Sequence, residues 1–123
     1  MQITYTKAKQ TTRGGRVWLE NKAALESAGF MAGARYNVVM VKGVLSLFLN
    51  PEGTSKVSSC KRNGVERPII DLHSKAILDV FAAGTSLQVR YVQSLIAVMA
   101  VEQEEATEST EQQSVVSRAS MTV

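Results

Sequence analysis

Residues 16–49, RVWLENKAALESAGFMAGARYNVVMVKGVLSLFL, are restated at a constant shift of 51 by residues 67–100, RPIIDLHSKAILDVFAAGTSLQVRYVQSLIAVMA. Arg16 falls on Arg67, Trp18 on Ile69, Leu19 on Ile70, Glu20 on Asp71, Phe30 on Phe81 and Gly33 on Gly84. The correspondence continues through Tyr36 and Leu87, Val38 and Val89, Met40 and Tyr91, Leu45 and Ile96, and Leu47 and Val98. A repeat of this kind governs how the rest of the chain is read, because one small unit cannot bury its apolar face alone. At 123 residues the chain holds one ordinary domain or two very small ones, and units of about 50 residues bury too little apolar surface to stand by themselves. The expectation is one body in which two similar halves share a core.

Each copy reads as β-hairpin, helix, β-hairpin, so the fold class is mostly β with two short helices (α+β). In the first, Ile3 to Thr6 and Val17 to Leu19 are β-prone, with Arg13-Gly14-Gly15 as the turn between them. Asn21 is placed to cap a helix over Lys22 to Ala28 that Gly29 closes, and strands at Arg35 to Val41 and Val44 to Leu49 turn on Lys42-Gly43. Residues 50–55, with Asn50, Pro51 and Gly53, read as a linker. Beyond it, Lys56 to Cys60 and Val65 to Ile70 flank Arg62-Asn63-Gly64, and Asn-Gly tolerates the positive φ of a type I′ turn. Ser74 can cap a helix over Lys75 to Phe81 that Ala83-Gly84 ends, and strands at Leu87 to Val92 and Leu95 to Ala100 complete the copy. Pro68 lacks a backbone donor, which places its segment at an edge or a bulge. The organisation is therefore a first repeat over 1–49, a linker over 50–55, a second repeat over 56–101 and a tail over 102–123.

Charge divides along the same line. Residues 1–101 hold thirteen Lys or Arg against six Asp or Glu, a surplus of seven, while residues 102–123 hold one Arg and five Glu, a net of −4. A basic body favours polyanions by a term independent of sequence. The tail has no aromatic residue and little that packs, so it reads as disordered, with a short helix over Glu102 to Gln112 as the alternative. No apolar run approaches the roughly 20 residues of a membrane span, and the N-terminal residues lack the pattern of a secretory leader; a cytoplasmic protein is expected. One Cys and one His cannot form a disulfide or supply the three or four ligands of a zinc site, and no cofactor motif is present. No cofactor and no enzymatic activity are expected.

The run Gly15-Arg16-Val17-Trp18-Leu19, a short helix ending Leu25-Glu26-Ser27-Ala28-Gly29-Phe30, and Gly33 before two short strands resemble the AbrB/SpoVT-like swapped-hairpin superfamily. Within it the pattern is most similar to the SymE-type branch, and it is also similar to small N-terminal modules of phage and plasmid cytosine methyltransferases. In that superfamily two hairpin-helix-hairpin chains interlock into one barrel-like body. The resemblance therefore implies an internal pseudo-dimer, interleaved as a pseudo-two-fold swapped-hairpin barrel. It further implies a phage or mobile-element origin and DNA binding through an arginine after the first turn, where Arg16 and Arg67 stand. The helix positions that are basic in the family are Leu25 and Glu26 here, and Ile77 and Leu78 in the second copy.

Lys7, Lys9, Arg13, Arg16, Lys56, Lys61, Arg62 and Arg67 belong to corresponding hairpins, which a pseudo-two-fold would gather on one side to track phosphates. A solvated surface is the alternative. Period-two neighbours place Trp18 in the core, with base stacking or partner anchoring as the other role. His73 beside Asp71 reads as capping or surface chemistry, and Cys60 as inert packing. The leading expectation is a small nucleic-acid-binding protein, duplex DNA favoured, regulatory or accessory to a mobile element. Two alternatives remain: a module that modulates a host defence nuclease or methyltransferase by binding protein, and a SymE-like RNA-cleaving toxin.

Overall fold

Left-handed backbone makes the hairpin turns. Lys42 and Gly43 sit at φ 52° and 80°, Asn63 and Gly64 at 54° and 77°, and Ser94 at 68°, the conformation that lets a tight turn follow the strands' twist. In the computed structural model, which describes residues 1–101, these turns separate ten strands and two helices. The first half contains β1 (Gln2–Lys7), β2 (Lys9–Thr11), β3 (Gly14–Leu19), α1 (Lys22–Ser27), β4 (Arg35–Val41) and β5 (Val44–Leu49). The second contains β6 (Ser55–Lys56), β7 (Ser58–Arg62), β8 (Val65–Ser74), α2 (Lys75–Val80), β9 (Ser86–Val92) and β10 (Leu95–Ala100). The expectation of a disordered tail over 102–123 lies outside the described residues.

Two antiparallel sheets result, one of six strands in the order β1-β9-β10-β5-β4-β6 and one of four in the order β2-β3-β8-β7. Neither closes into a barrel among the described residues. Exchanging each strand for its counterpart in the other half leaves both orders unchanged. The register agrees, because Lys9 opposite Arg16 recurs as Cys60 opposite Arg67 and Val41 opposite Val44 as Val92 opposite Leu95. Strands of one half are completed by the other: β1 pairs with β9, β5 with β10, and β3 with β8. The helices follow suit, α1 lying on β8 and β9 and α2 mainly on β3.

The constant shift fails in two places. Ala8 donates to the Thr85 carbonyl and accepts from the Gly84 amide, while Val57 donates to Ala34 and accepts from Gly33. Ala8 and Val57 are therefore equivalent buried corners only 49 positions apart, so Lys56 answers Lys7 and Thr54 answers Tyr5. Each helix cap accepts a backbone N–H three residues on, Asn21 from Ala24 and Ser74 from Ile77, and these caps are 53 apart. The second half thus has two more residues between its buried corner and its hairpin than the first, and two more between its hairpin and its helix.

Helix α1 ends in a Schellman motif, with Gly29 at φ 90° donating to Glu26 and Phe30 donating to Leu25, as a C′ glycine permits. Helix α2 stops at Val80, before the expected Phe81. Its next residue is extended, and Gly84 serves the Ala8 corner instead of a cap. Phe30 and Phe81, Leu19 and Ile70, Leu45 and Ile96, and Leu47 and Val98 are buried in matching pairs, each large side chain contributing about 1.5–3 kcal/mol. Pro68 lies in β8, which is central to its sheet, but residues 65–69 pair only with β7 and residues 70–74 only with β3. Its stretch is locally an edge.

Candidate nucleic-acid interface

Residues directly opposed on neighbouring strands share a face of the sheet. The pairs Lys9 with Arg16, Arg16 with His73 and Trp18 with Asp71 place all five on one face of the four-stranded sheet. The pairs Cys60 with Arg67 and Arg62 with Val65 extend it across β7. The opposite face carries buried Val17, Leu19 and Ile70. Trp18 is therefore half-buried on the outer face, and its expected place in the core is corrected. Alternation that buries Val17 and Leu19 must turn Trp18 the other way, beside Arg16.

Arg16 is tied into this face rather than free. Its Nε and Nη2 donate to the two carboxylate oxygens of Asp71 at 2.9 and 3.2 Å, and its guanidinium lies 4.5 Å from the Trp18 ring centroid. Bidentate geometry fixes the guanidinium plane, and stacking on the indole adds to that. His73 Nε2 stands 3.5 Å from Asp71 Oδ1, so one carboxylate serves both cross-strand partners. The side chains of Arg16 and Asp71 remain 31% and 28% exposed, so the pair orients side chains more than it stabilises the fold, a contribution of about 1 kcal/mol or less.

Beside this cluster β1 and β3 enclose a hollow of about 290 Å³ lined by Tyr5, Lys7, Lys9, Arg16, Trp18 and Glu20, among others. Its floor includes Tyr91, whose hydroxyl lies 3.0 Å from Thr4 Oγ1. Burial pushes the Tyr91 phenol up, against the lowering influence of that hydrogen bond. No family model, curated protein or solved structure matches the chain.

Arg67 has a different setting. It borders a shallow depression with Asn21, Lys22, Ala23 and Glu26, in which Lys22 and Glu26 pair at 3.0 Å. Glu20, the counterpart of Asp71, makes no ion pair with Arg67 among the described residues. Lys56 lies opposite Arg35 on β4, away from the four-stranded sheet. Arg13 is in the β2–β3 turn, and Lys61 and Arg62 end β7. The eight cations therefore do not form one patch. Lys7, Lys9 and Arg16 meet in the hollow, Arg67 and Arg62 lie further along the same face, and Arg13 is at the opposite end.

Reasoning from the sequence did not single out Tyr5 or Glu20, which the structure places in the lining of the hollow. The alternation Ile3, Tyr5, Lys7 was the available signal for Tyr5, since it puts an aromatic ring and an amine on one face of β1. Nothing local could bring β1 next to β3. Among the described residues no group of three or more His, Cys, Asp or Glu is placed to hold a metal, and no helix is long and apolar enough to cross a membrane.

Proposed function

We propose that the chain is two swapped-hairpin units fused in tandem, interleaved about a pseudo-two-fold axis, and that it is a small regulatory or accessory protein that binds duplex DNA along the four-stranded sheet. The palindromic strand orders and the packing of each helix on the other half support the first part. One observation carries the second. Gly15 pairs with Ser74 while Arg62 pairs with Val65, so the two basic hairpin turns lie at opposite ends of β8, roughly 30 Å apart at about 3.3 Å per residue. That spacing is close to one turn of duplex, about 34 Å. Arg13 and Arg62 would then meet phosphates one turn apart, with Lys9 and Arg67 between them.

Fluorescence anisotropy with duplexes of about 8 and about 16 base pairs tests this reading. The longer duplex should bind more tightly, and log affinity should fall with log salt at a slope of roughly −0.9 per phosphate met. Equal affinities, or no binding at low salt, would reject it. A second reading is favoured by the outer face of the six-stranded sheet, where Phe48, Val39, Val92 and Leu95 are exposed on adjoining strands. Such a face suits a protein partner, in keeping with a module that modulates a host defence enzyme. A partner that survives nuclease treatment of the lysate and is lost on Leu95→Asp would favour it.

A further inference from the structure

We infer that the hollow between β1 and β3 binds one unpaired nucleotide, its base against the aromatic wall and its phosphate on Lys7 and Lys9. The inference rests on the nucleic-acid reading and deepens it. A duplex keeps its bases stacked and paired, so it presents only backbone and groove edges to a sheet surface. The hollow is built for something else. The stacked Trp18 and Arg16 form one side, and Tyr5, 66% exposed and accepting from Gln88 Nε2 at 3.3 Å, borders the rim on β1. Aromatic rings and guanidinium planes are the surfaces on which unstacked bases lie. At about 290 Å³ the space is at the lower end of small-molecule sites, roughly 300–1,000 Å³, which suits a single nucleotide.

The charges are divided to match. Asp71 neutralises Arg16, leaving Arg16 to act as a flat surface, whereas Lys7 and Lys9 have no carboxylate within ion-pair distance among the described residues. Their ammonium groups are the free cations for a phosphate. Glu20, also in the lining, accepts hydrogen bonds only, and a carboxylate of this kind takes a base amino group such as that of cytosine. A bare anion would have no use for the rings, and an apolar ligand none for the lysines. The wall is also preorganised, because two hydrogen bonds to Asp71 hold Arg16 in place before any ligand arrives, which reduces the ordering entropy of binding.

The second half retains no such place. Thr54 answers Tyr5, Cys60 answers Lys9 and Ile69 answers Trp18, so both aromatic surfaces and one amine are missing there. The site is a property of one half, and one nucleotide per chain is expected.

Trp18 is the single tryptophan, so its fluorescence reports on the hollow directly. The full chain is titrated at low salt with pentadeoxycytidylate, with deoxycytidine monophosphate, and with a 16-base-pair duplex. Saturable quenching by the single strand at one site per chain is expected. Tyr5→Ala should weaken it about tenfold, as should Lys7→Ala combined with Lys9→Ala, and Lys56→Ala should leave it unchanged. Tyr5, Lys7 and Lys9 are exposed, so unchanged thermal midpoints should accompany these losses. Quenching by the mononucleotide as tight as by the strand would support the site and identify a free nucleotide as its ligand; a strand preference of tenfold or more would identify single-stranded nucleic acid. Duplex binding by anisotropy without any quenching by strand or mononucleotide would overturn this inference and leave the duplex reading intact. Quenching without duplex binding would do the reverse, and the absence of both would reject the two together.

Discussion

Arg16 and Arg67 hold the same place in the two halves, after the same turn and opposite corresponding partners, yet one is locked and the other open. Arg16 has a carboxylate on one side and an indole on the other. Arg67 has Ile69 in place of Trp18, and Glu20 in place of Asp71. The difference comes from strand length. Strand β8 runs on to Ser74 before its helix begins, which keeps Asp71 inside the sheet opposite Trp18. Strand β3 stops at Leu19, which puts Glu20 outside it and exposed. Two extra residues before a helix thus decide whether a conserved geometry of backbone yields a fixed pair or a free cation.

Separating the halves should have the largest effect. With β1, β3 and β5 each paired to a strand of the other half, a break between Asn50 and Thr54 followed by separate expression should leave both pieces unfolded or insoluble. Dispersed amide resonances from residues 1–50 alone would break the comparison at its root. Next is the contact that only one half makes. A Cβ at Gly15 would lie 2.4 Å from the Leu78 amide nitrogen and 2.8 Å from its Cα, backbone that cannot move aside. Gly15→Val should destabilise by about 3 kcal/mol or more, whereas its counterpart Glu66 is exposed and Glu66→Val should change thermal stability by no more than about 0.5 kcal/mol.

Tyr36 and its counterpart Leu87 supply a test in pH. Burial, and secondarily the Asp71 carboxylate, push the Tyr36 phenol from 10.0 up to about 12. The folded state therefore keeps a neutral phenol that the unfolded chain ionises near pH 10. This stability is fully present below pH 10 and is lost as pH rises towards 12. Denaturant titrations should find a loss over that window about 2–3 kcal/mol smaller in Tyr36→Phe than in the parent, while Leu87→Val should shift the whole curve without changing its slope with pH.

Binding sharpens the arginine comparison itself. Arg67→Ala should weaken duplex binding several-fold and lower the salt slope by roughly 0.9; Arg16→Ala should lower the slope by less than half as much, because Asp71 already offsets its charge. Equal slopes would mean that the ion pair opens on DNA. The smallest effect belongs to the carboxylates. Asp71→Asn should destabilise by about 0.5–1 kcal/mol, given how exposed the pair is, and Glu20→Gln should have no measurable effect on the thermal midpoint.

Strands β4, β5 and β10 have the limits expected from alternation and turn residues, and β9 starts one residue early. Asn21 and Ser74 cap the helices as expected. These features answer to neighbours within a few positions, so the chain itself displays them. Trp18 was misplaced because period two alone does not say which alternate set is buried; Arg16 on the same set was the clue. The shifts of 49 and 53 at the buried corner and the helix cap are not legible in the sequence because side chains there need only fit a corner or a cap, and Ala8 and Val57 share little beyond being apolar.

By itself, then, the sequence determined the mostly β class with two short capped helices, the second hairpin of each half and the basic body, since each depends on local propensity or on composition. The expected hairpin of Ile3 to Thr6 with Val17 to Leu19 is corrected, because β1 pairs with β9 and β3 turns back on β2, and the expected strand Lys56 to Cys60 is broken at the buried corner Val57. The tertiary structure alone decided that strands pair across the halves, that Asp71 reaches Arg16 over 55 positions of chain, and that Tyr5 and Lys7 border the same hollow as Trp18. Such contacts depend on register between distant strands. A shift of one residue in that register would turn every one of these side chains to the other face.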